Sequence, residues 1–271
     1  MKEYPSLALV TGATSGIGKA LCHLLAEKGI ALIASGRDVN LLQNLKNDLQ
    51  SKVNVQLIVA DLTKKDERQK LIEQIHTFAP DLVINNAGFG LYGDCLTYQT
   101  SEQMQILEVD GVALLEITLE AARSLLSKEK KGTIFNISSA AAFQIFPGMA
   151  VYAATKAFVN QFSQAFDKEM EVHGIRILTT CPGMVNTNFQ ARASHKNSDS
   201  AADIGVMTPE YVAESIWKQI ESQKPLTIID WKYHIMNCVS YLVPTSLIIR
   251  IIRKNILNRI QKRNLIKINE I

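Results

Sequence analysis

Tyr152 and Lys156 stand four residues apart in Tyr152-Ala153-Ala154-Thr155-Lys156, inside a stretch patterned as a helix. A phenol and an ammonium therefore share one helix face. A free phenol ionises at about pH 10, too high to exchange protons readily at neutral pH. A neighbouring cation favours the phenolate, and a Tyr tuned in this way can give a proton to an oxygen or take one back. Such a pair arises by chance on many helices, so its surroundings decide. Ser139, thirteen residues earlier in Asn136-Ile137-Ser138-Ser139, is a hydroxyl that can hold the same oxygen, with Ser138 as its competitor. Near the other end of the chain, Thr11-Gly12-Ala13-Thr14-Ser15-Gly16-Ile17-Gly18 joins a short apolar run to a helical one. Glycines there allow a tight turn and close approach of a diphosphate, and a helix start offers free N–H groups and partial positive charge. A turn without a ligand is the plainer reading of that motif taken alone.

The elements that must position these groups alternate regularly. Strand-like runs at Ser6–Thr11, Ile30–Ser35, Val53–Ala60, Asp81–Asn85, Gly132–Ser138, Ile175–Thr180 and Leu226–Ile229 are short and apolar throughout. Helical stretches lie between them at Ile17–Lys28, Asn40–Gln50, Asp66–Phe78, Glu102–Ser127, Val151–Glu171 and Pro209–Glu221. Strands without polar alternation are buried on both faces. The pattern predicts an α/β fold: one Rossmann-like, doubly wound parallel sheet with helices on both faces. No linker or repeat interrupts it before about residue 230, which predicts a catalytic domain over 1–230 and an extension over 231–271.

Composition narrows the class. The 271 residues are 47% hydrophobic and 20% charged, with a net charge of +3, which excludes a disordered chain. The four Cys (Cys22, Cys95, Cys181, Cys238) form no CxxC, and the five His form no HxxxH, so spacing points to neither a disulfide scaffold nor a metal site. No signal peptide opens the chain and no run of about 18 apolar residues occurs, so the expected compartment is cytoplasmic.

The spacing Gly12-xxx-Gly16-x-Gly18 resembles that of the short-chain dehydrogenase/reductase family, and five further motifs follow in that family's order. The resemblance covers about residues 5–230. It implies a nicotinamide-dependent oxidoreductase acting on a carbonyl or an alcohol. Gly12, Thr14, Ser15, Gly16, Ile17 and Gly18 would then cradle the diphosphate. After the second strand comes Gly36-Arg37-Asp38. An Arg there suits the 2′-phosphate of NADP, whereas an acid binds the ribose hydroxyl of NAD. Arg37 points to NADP(H); Asp38 keeps NAD(H) as the alternative, although it also reads as a helix cap. Asp61 and Leu62 would meet the adenine, Asp61 doubling as a turn acid. Asn86, Ala87 and Gly88, in the NNAG motif, leave room for the adenosine ribose. Pro182, Gly183, Val185 and Thr187 would lie along the nicotinamide. By the same resemblance Ser139, Tyr152 and Lys156 are the catalytic set, with Lys156 also holding ribose hydroxyls. The family's tetrad Asn falls on Asp110, a departure that removes an amide donor and puts the proton relay in question, while Gly111 leaves room for a kink. A homodimer or homotetramer is implied as well.

The charge is uneven. Residues 232–271 hold eight basic residues and one acid, hence +7 against −4 for the rest. Ile248, Ile252, Ile256 and Ile260 recur every four residues there, giving a basic amphipathic helix. It fits packing on the body or a second subunit, or contact with a membrane surface through residues 233–263. Nucleic acid is not expected, since aromatics are not interleaved with the charges. Residues 188–206 are polar and long enough to form a substrate lid. The expected substrate is a lipophilic ketone, aldehyde or alcohol; a nucleotide-binding regulatory or scaffolding protein of the same fold is the alternative.

Overall fold

A computed structural model describes residues 4–187, 189, 206–240, 243–250 and 252–254. Seven strands form one sheet: β1 Leu7–Thr11, β2 Ala31–Gly36, β3 Val55–Val59, β4 Leu82–Asn85, β5 Gly132–Ile137, β6 Ile175–Cys181 and β7 Leu226–Ile228. The order is β3-β2-β1-β4-β5-β6-β7 and every pairing is parallel. Leu9 pairs with Ile33 on one side and Val83 on the other. The chain winds outward from β1 to β3, returns to β4 beside β1, and winds the other way. That reversal opens a crevice beyond the carboxyl ends of β1 and β4, where ligands bind in such sheets.

Helices cover both faces, as the uniformly apolar strands require. On one face α1 (Gly16–Glu27), α2 (Val39–Leu49) and α7 (Pro209–Ser222) pack Leu21, Leu25, Leu42, Leu45, Ile216 and Trp217 against the sheet. On the other, α3 (Lys65–Phe78) and α5 (Leu114–Ser127) supply Leu71, Ile75, Ile117 and Leu125, and α6 (Ala150–Met170) ends there with Met170. Local chemistry sets the boundaries. The Asp38 side chain accepts from Leu41 N at 3.0 Å and caps α2. Thr208 caps α7 ahead of Pro209, whose fixed φ suits the first helical position. Predicted and observed boundaries differ by one or two residues, the usual fraying of element ends.

The largest difference lies in the stretch predicted as one helix over 102–127. It begins earlier, as α4 (Thr100–Leu107), and passes through a π-helical turn at Glu108–Ala113 before α5. The wider turn carries Asp110, fully buried. A Cβ on Gly111 would stand 3.3 Å from Thr155 Cγ2, so the glycine lets α6 approach closely at this point. Arg68 of α3, also buried, reaches Glu108 at 3.1 Å and Glu116 at 2.7 Å and braces both sides of the turn.

Polar side chains inside the core fix α6 on the sheet. Asn85 Nδ2 donates to Asn136 Oδ1 at 2.9 Å and to Thr118 Oγ1 at 3.0 Å, and Asn136 Nδ2 donates to Ser163 Oγ at 2.9 Å. Arg176 grips Asp167 through two hydrogen bonds, of 2.9 and 3.0 Å, and ties the end of α6 to β6. Beyond β7, α8 (Trp231–Ser240) returns over the sheet edge, and residues 245–250 and 252–254 are helical. Among the described residues, no helix is long and apolar enough to cross a membrane. Most of the stretch 188–206, and the tail beyond residue 254, lie outside the described residues.

Replacing Asn136 with Ala strands buried groups on Asn85 and Ser163, each costing about 1–3 kcal/mol without a partner. The expected result is a loss of roughly 3 kcal/mol in urea unfolding.

Candidate active site

A cavity of about 1110 Å³ runs along the carboxyl ends of the strands, from Arg37 and Asp61 at one end to Tyr152 and Ser139 at the other. Its glycine-rich end is closely packed. Gly12, with φ +63°, has no room for a Cβ, which would stand 2.9 Å from Ala87 Cα and from Asn86 Nδ2. A Cβ on Gly18 would collide with Gly12 O and Asn86 Nδ2. Thr11 Oγ1 accepts from Asn86 N and Ala87 N, both at 3.0 Å, and Asn86 Nδ2 donates to Thr11 O at 2.9 Å. The two loops are thus locked as one piece. Ser15, at the start of α1, makes no side-chain capping bond, and Thr14, Ser15, Gly16 and Ile17 face the cavity. The helix N-terminus is left open to an anion, and the residues fit a dinucleotide diphosphate.

Around this floor the other cofactor candidates gather. Arg37 is exposed on the cavity edge and makes no ion pair among the described residues, while Asp38 is occupied in capping α2. Asp61 lines the cavity and folds its own turn, accepting from Thr63 N at 3.0 Å. Leu62, Asn86, Ala87 and Gly88 line the wall. Pro182, Gly183, Val185 and Thr187 approach from the far side, and a Cβ on Gly16 would stand 2.9 Å from Thr187 Cγ2. Met207 N donates to Met184 O at 3.0 Å, and Asn186 N to Met207 O at 2.8 Å, so the chain leaves and returns at one place.

At the chemical end the two serines separate. Ser138 is buried and its hydroxyl donates to Lys156 O at 2.9 Å, holding the helix. Ser139 is half-buried, lines the cavity and accepts from Ala141 N at 3.1 Å. Lys156 lies under Tyr152, its Nζ 5.7 Å from the ring centroid, and donates to Ile137 O at 3.0 Å. The same Nζ stands 2.9 Å from Asp110 Oδ2, inside the protein. Asp110 Oδ1 accepts from Phe89 N at 3.0 Å. A Cβ on Gly88 would stand 2.8 Å from that carboxylate, so the glycine of the NNAG turn makes space for it.

In the chain without cofactor the Tyr152 phenol is raised above its ordinary value, first by burial and then by the negative charge of Asp110, with the Ser139 hydroxyl acting the other way. The Asp110 carboxyl is itself raised by burial, against the opposing pull of Lys156 and of the Phe89 N–H. In the chain by itself the buried Tyr152 holds its proton.

Spacing does not reveal the apolar wall facing Tyr152. Phe89, Tyr92, Phe146, Met149 and Phe189 line it. The Phe189 ring lies 5.5 Å from that of Tyr152. These residues come from loops and helix starts, where no periodicity marks them. Tyr233 of α8 lies against Gly183, where a Cβ would strike its ring, and Tyr233 and Ile252 both border the cavity. The apolar run after residue 232 is the available signal for that roof.

Residues 6–198 match the family model of short chain dehydrogenases. An uncharacterized oxidoreductase of Staphylococcus aureus strain MRSA252 is 32% identical over 224 residues, spanning 82% of this chain and 94% of that protein. Among solved structures, the short-chain dehydrogenase from Sphingobium yanoikuyae in complex with NADPH has a TM-score of 0.77 and 27% identity, over 82% of this chain and 86% of that one. A bulky-bulky ketone specific alcohol dehydrogenase from Comamonas testosteroni has a TM-score of 0.73 and 26% identity, over 83% and 86%. Solved neighbours of this fold hold NADPH in one case and NAD in another. Glycine turn, NNAG loop, Ser-Tyr-Lys set and sheet order thus agree with the sequence matches: the chain belongs to the short-chain dehydrogenase/reductase family of oxidoreductases.

Proposed function

We propose that the protein is an NADP(H)-dependent oxidoreductase that interconverts a ketone or aldehyde with the corresponding alcohol on an apolar substrate. The observation that carries this reading is the convergence of Ser139, Tyr152 and Lys156 at one end of a cavity whose other end is the glycine-lined start of α1. The nicotinamide, when bound, supplies or accepts the hydride. In reduction, Tyr152 gives its phenolic proton to the carbonyl oxygen while Ser139 hydrogen-bonds that oxygen and steadies its developing charge. Lys156 holds the phenol in place from below. The aromatic and Met side chains around Tyr152 exclude water and favour an apolar substrate. Similarity to a bulky-ketone alcohol dehydrogenase supports the same substrate class.

The phosphate preference rests on Arg37. It is exposed at the adenine end, and the adjacent acid already serves as a helix cap. A guanidinium there pairs with a 2′-phosphate.

Asp110 biases the protonation of Tyr152. Its carboxylate offsets the charge of Lys156 and, with burial, keeps Tyr152 protonated, the form needed for reduction. Oxidation needs the phenolate, so its rate is expected to rise with pH on the alkaline side. Reduction stays level through neutrality.

Three measurements test this reading. Tyr152→Phe is expected to lower NADPH-dependent reduction of an aryl alkyl ketone by about 10²–10⁴-fold while NADPH binding is retained; retained turnover would remove Tyr152 from the chemistry. Arg37→Ser is expected to weaken NADPH binding by roughly tenfold or more, the worth of a charged hydrogen bond, with NADH binding little altered. An equal loss for both nucleotides would contradict the Arg37 assignment. Asp110→Asn removes a negative charge beside the phenol, so the alkaline rise of the oxidation profile is expected to move to lower pH. An unmoved profile would mean that Asp110 has no electrostatic hold on Tyr152.

A further inference from the structure

The first helix of the C-terminal extension has two unlike sides. Tyr233 faces inward, against Gly183 of the nicotinamide-side loop. Trp231, Ile235 and Val239 follow one another at helical spacing on the opposite side and are 67%, 51% and 46% exposed. Leu247, in the next helical segment, is 47% exposed. Three large apolar side chains in succession on one helix, with a fourth exposed in the next helical segment, are more than scattered exposure explains. Cations flank them: Lys232, Arg250, Arg253 and Lys254 are all exposed. By sequence the charge continues, reaching +7 over residues 232–271 on a chain whose remainder carries −4.

We propose that this face docks on an anionic membrane surface, with Trp231, Ile235, Val239 and Leu247 entering the headgroup boundary and the basic residues meeting lipid phosphates. An exposed Trp beside a cationic segment suits the interface between lipid and water. Basic residues near such a surface add attraction that salt screens. A second copy of the chain is the less suitable occupant. Symmetric pairing through this face would bring one +7 segment against another. Because the inner side of the same helix borders the cavity, docking places the substrate cavity next to the bilayer. That consequence for substrate supply rests on the reading above; the docking itself does not.

The test uses the full chain and no turnover. Protein is floated with vesicles of phosphatidylglycerol and phosphatidylcholine in equal parts, and separately with phosphatidylcholine alone. Binding to the anionic vesicles, release at about 0.5 M salt and little binding to the neutral ones are expected. Trp231 emission should shift to shorter wavelength on binding, since Trp217 is already buried. Ile235→Asn with Val239→Asn should abolish flotation without changing the circular dichroism spectrum or melting temperature. Arg250→Gln should weaken binding about fivefold, from about 1 kcal/mol per basic residue. Absence of flotation on anionic vesicles at low salt, or flotation that survives the double Asn variant, would overturn the proposal. So would a wild-type dimer in sedimentation velocity that the double variant converts to monomer, because a second copy would then cover the face.

Discussion

The contact between Lys156 and Asp110 is the constraint around which the rest of the site is arranged. An ammonium and a carboxylate, 2.9 Å apart and closed off from water, form a poor source of stability, because desolvation opposes the attraction. Breaking such a pair by removing one partner costs about 3–5 kcal/mol. The surrounding chain is shaped to accept it. The π-helical turn swings Asp110 inward, the Arg68 pairs brace the turn from outside, and Gly88 leaves the carboxylate its space. Ile137 O accepts a further hydrogen bond from Lys156 Nζ, and Phe89 N donates to Asp110 Oδ1. The Asp110 charge then acts on Tyr152, whose ring centroid lies 5.7 Å from Lys156 Nζ.

The opposite end of the cavity depends on closeness of backbone rather than on charge. Thr11, Asn86 and the glycines of the first turn interlock so tightly that an added methyl group collides with main chain. The reversal of strand order between β1 and β4 puts this packed turn at a crevice, and the sheet carries the Ser-Tyr-Lys set to the same edge. Distance between the two ends is fixed by β4, β5 and α6, which share the buried Asn85–Asn136–Ser163 chain of hydrogen bonds. The glycine-rich turn and the Ser139, Tyr152 and Lys156 set are therefore carried by one connected frame.

Much of this is legible in residue order because the signals are local. Strands buried on both faces read as continuous apolar runs, and the motifs sit where those runs end. The thirteen-residue spacing favours Ser139 over Ser138; both line the cavity, but the Ser138 hydroxyl is engaged with the Lys156 carbonyl and Ser139 with Ala141 N. Asp38 reads as a cap and is one. Effects across the fold are not legible in this way. Asp110 is visible as a departure at a known position, but its pairing with Lys156 depends on a π turn that has no sequence period of its own. Hence residue order alone does not show the negative charge that acts on Tyr152. The aromatic wall and the seating of Tyr233 on Gly183 likewise arise where loops and a late helix meet, and spacing along the chain carries no record of that.

The most direct check is the ionisation of Tyr152 itself, read as tyrosinate absorbance at about 295 nm in the difference between the intact protein and Tyr152→Phe as pH is raised. A phenol still neutral at about pH 10, where a free tyrosine is half ionised, is the expected result. Tyrosinate from this residue near neutrality would contradict it, and would show that Lys156 acts on Tyr152 unopposed by Asp110.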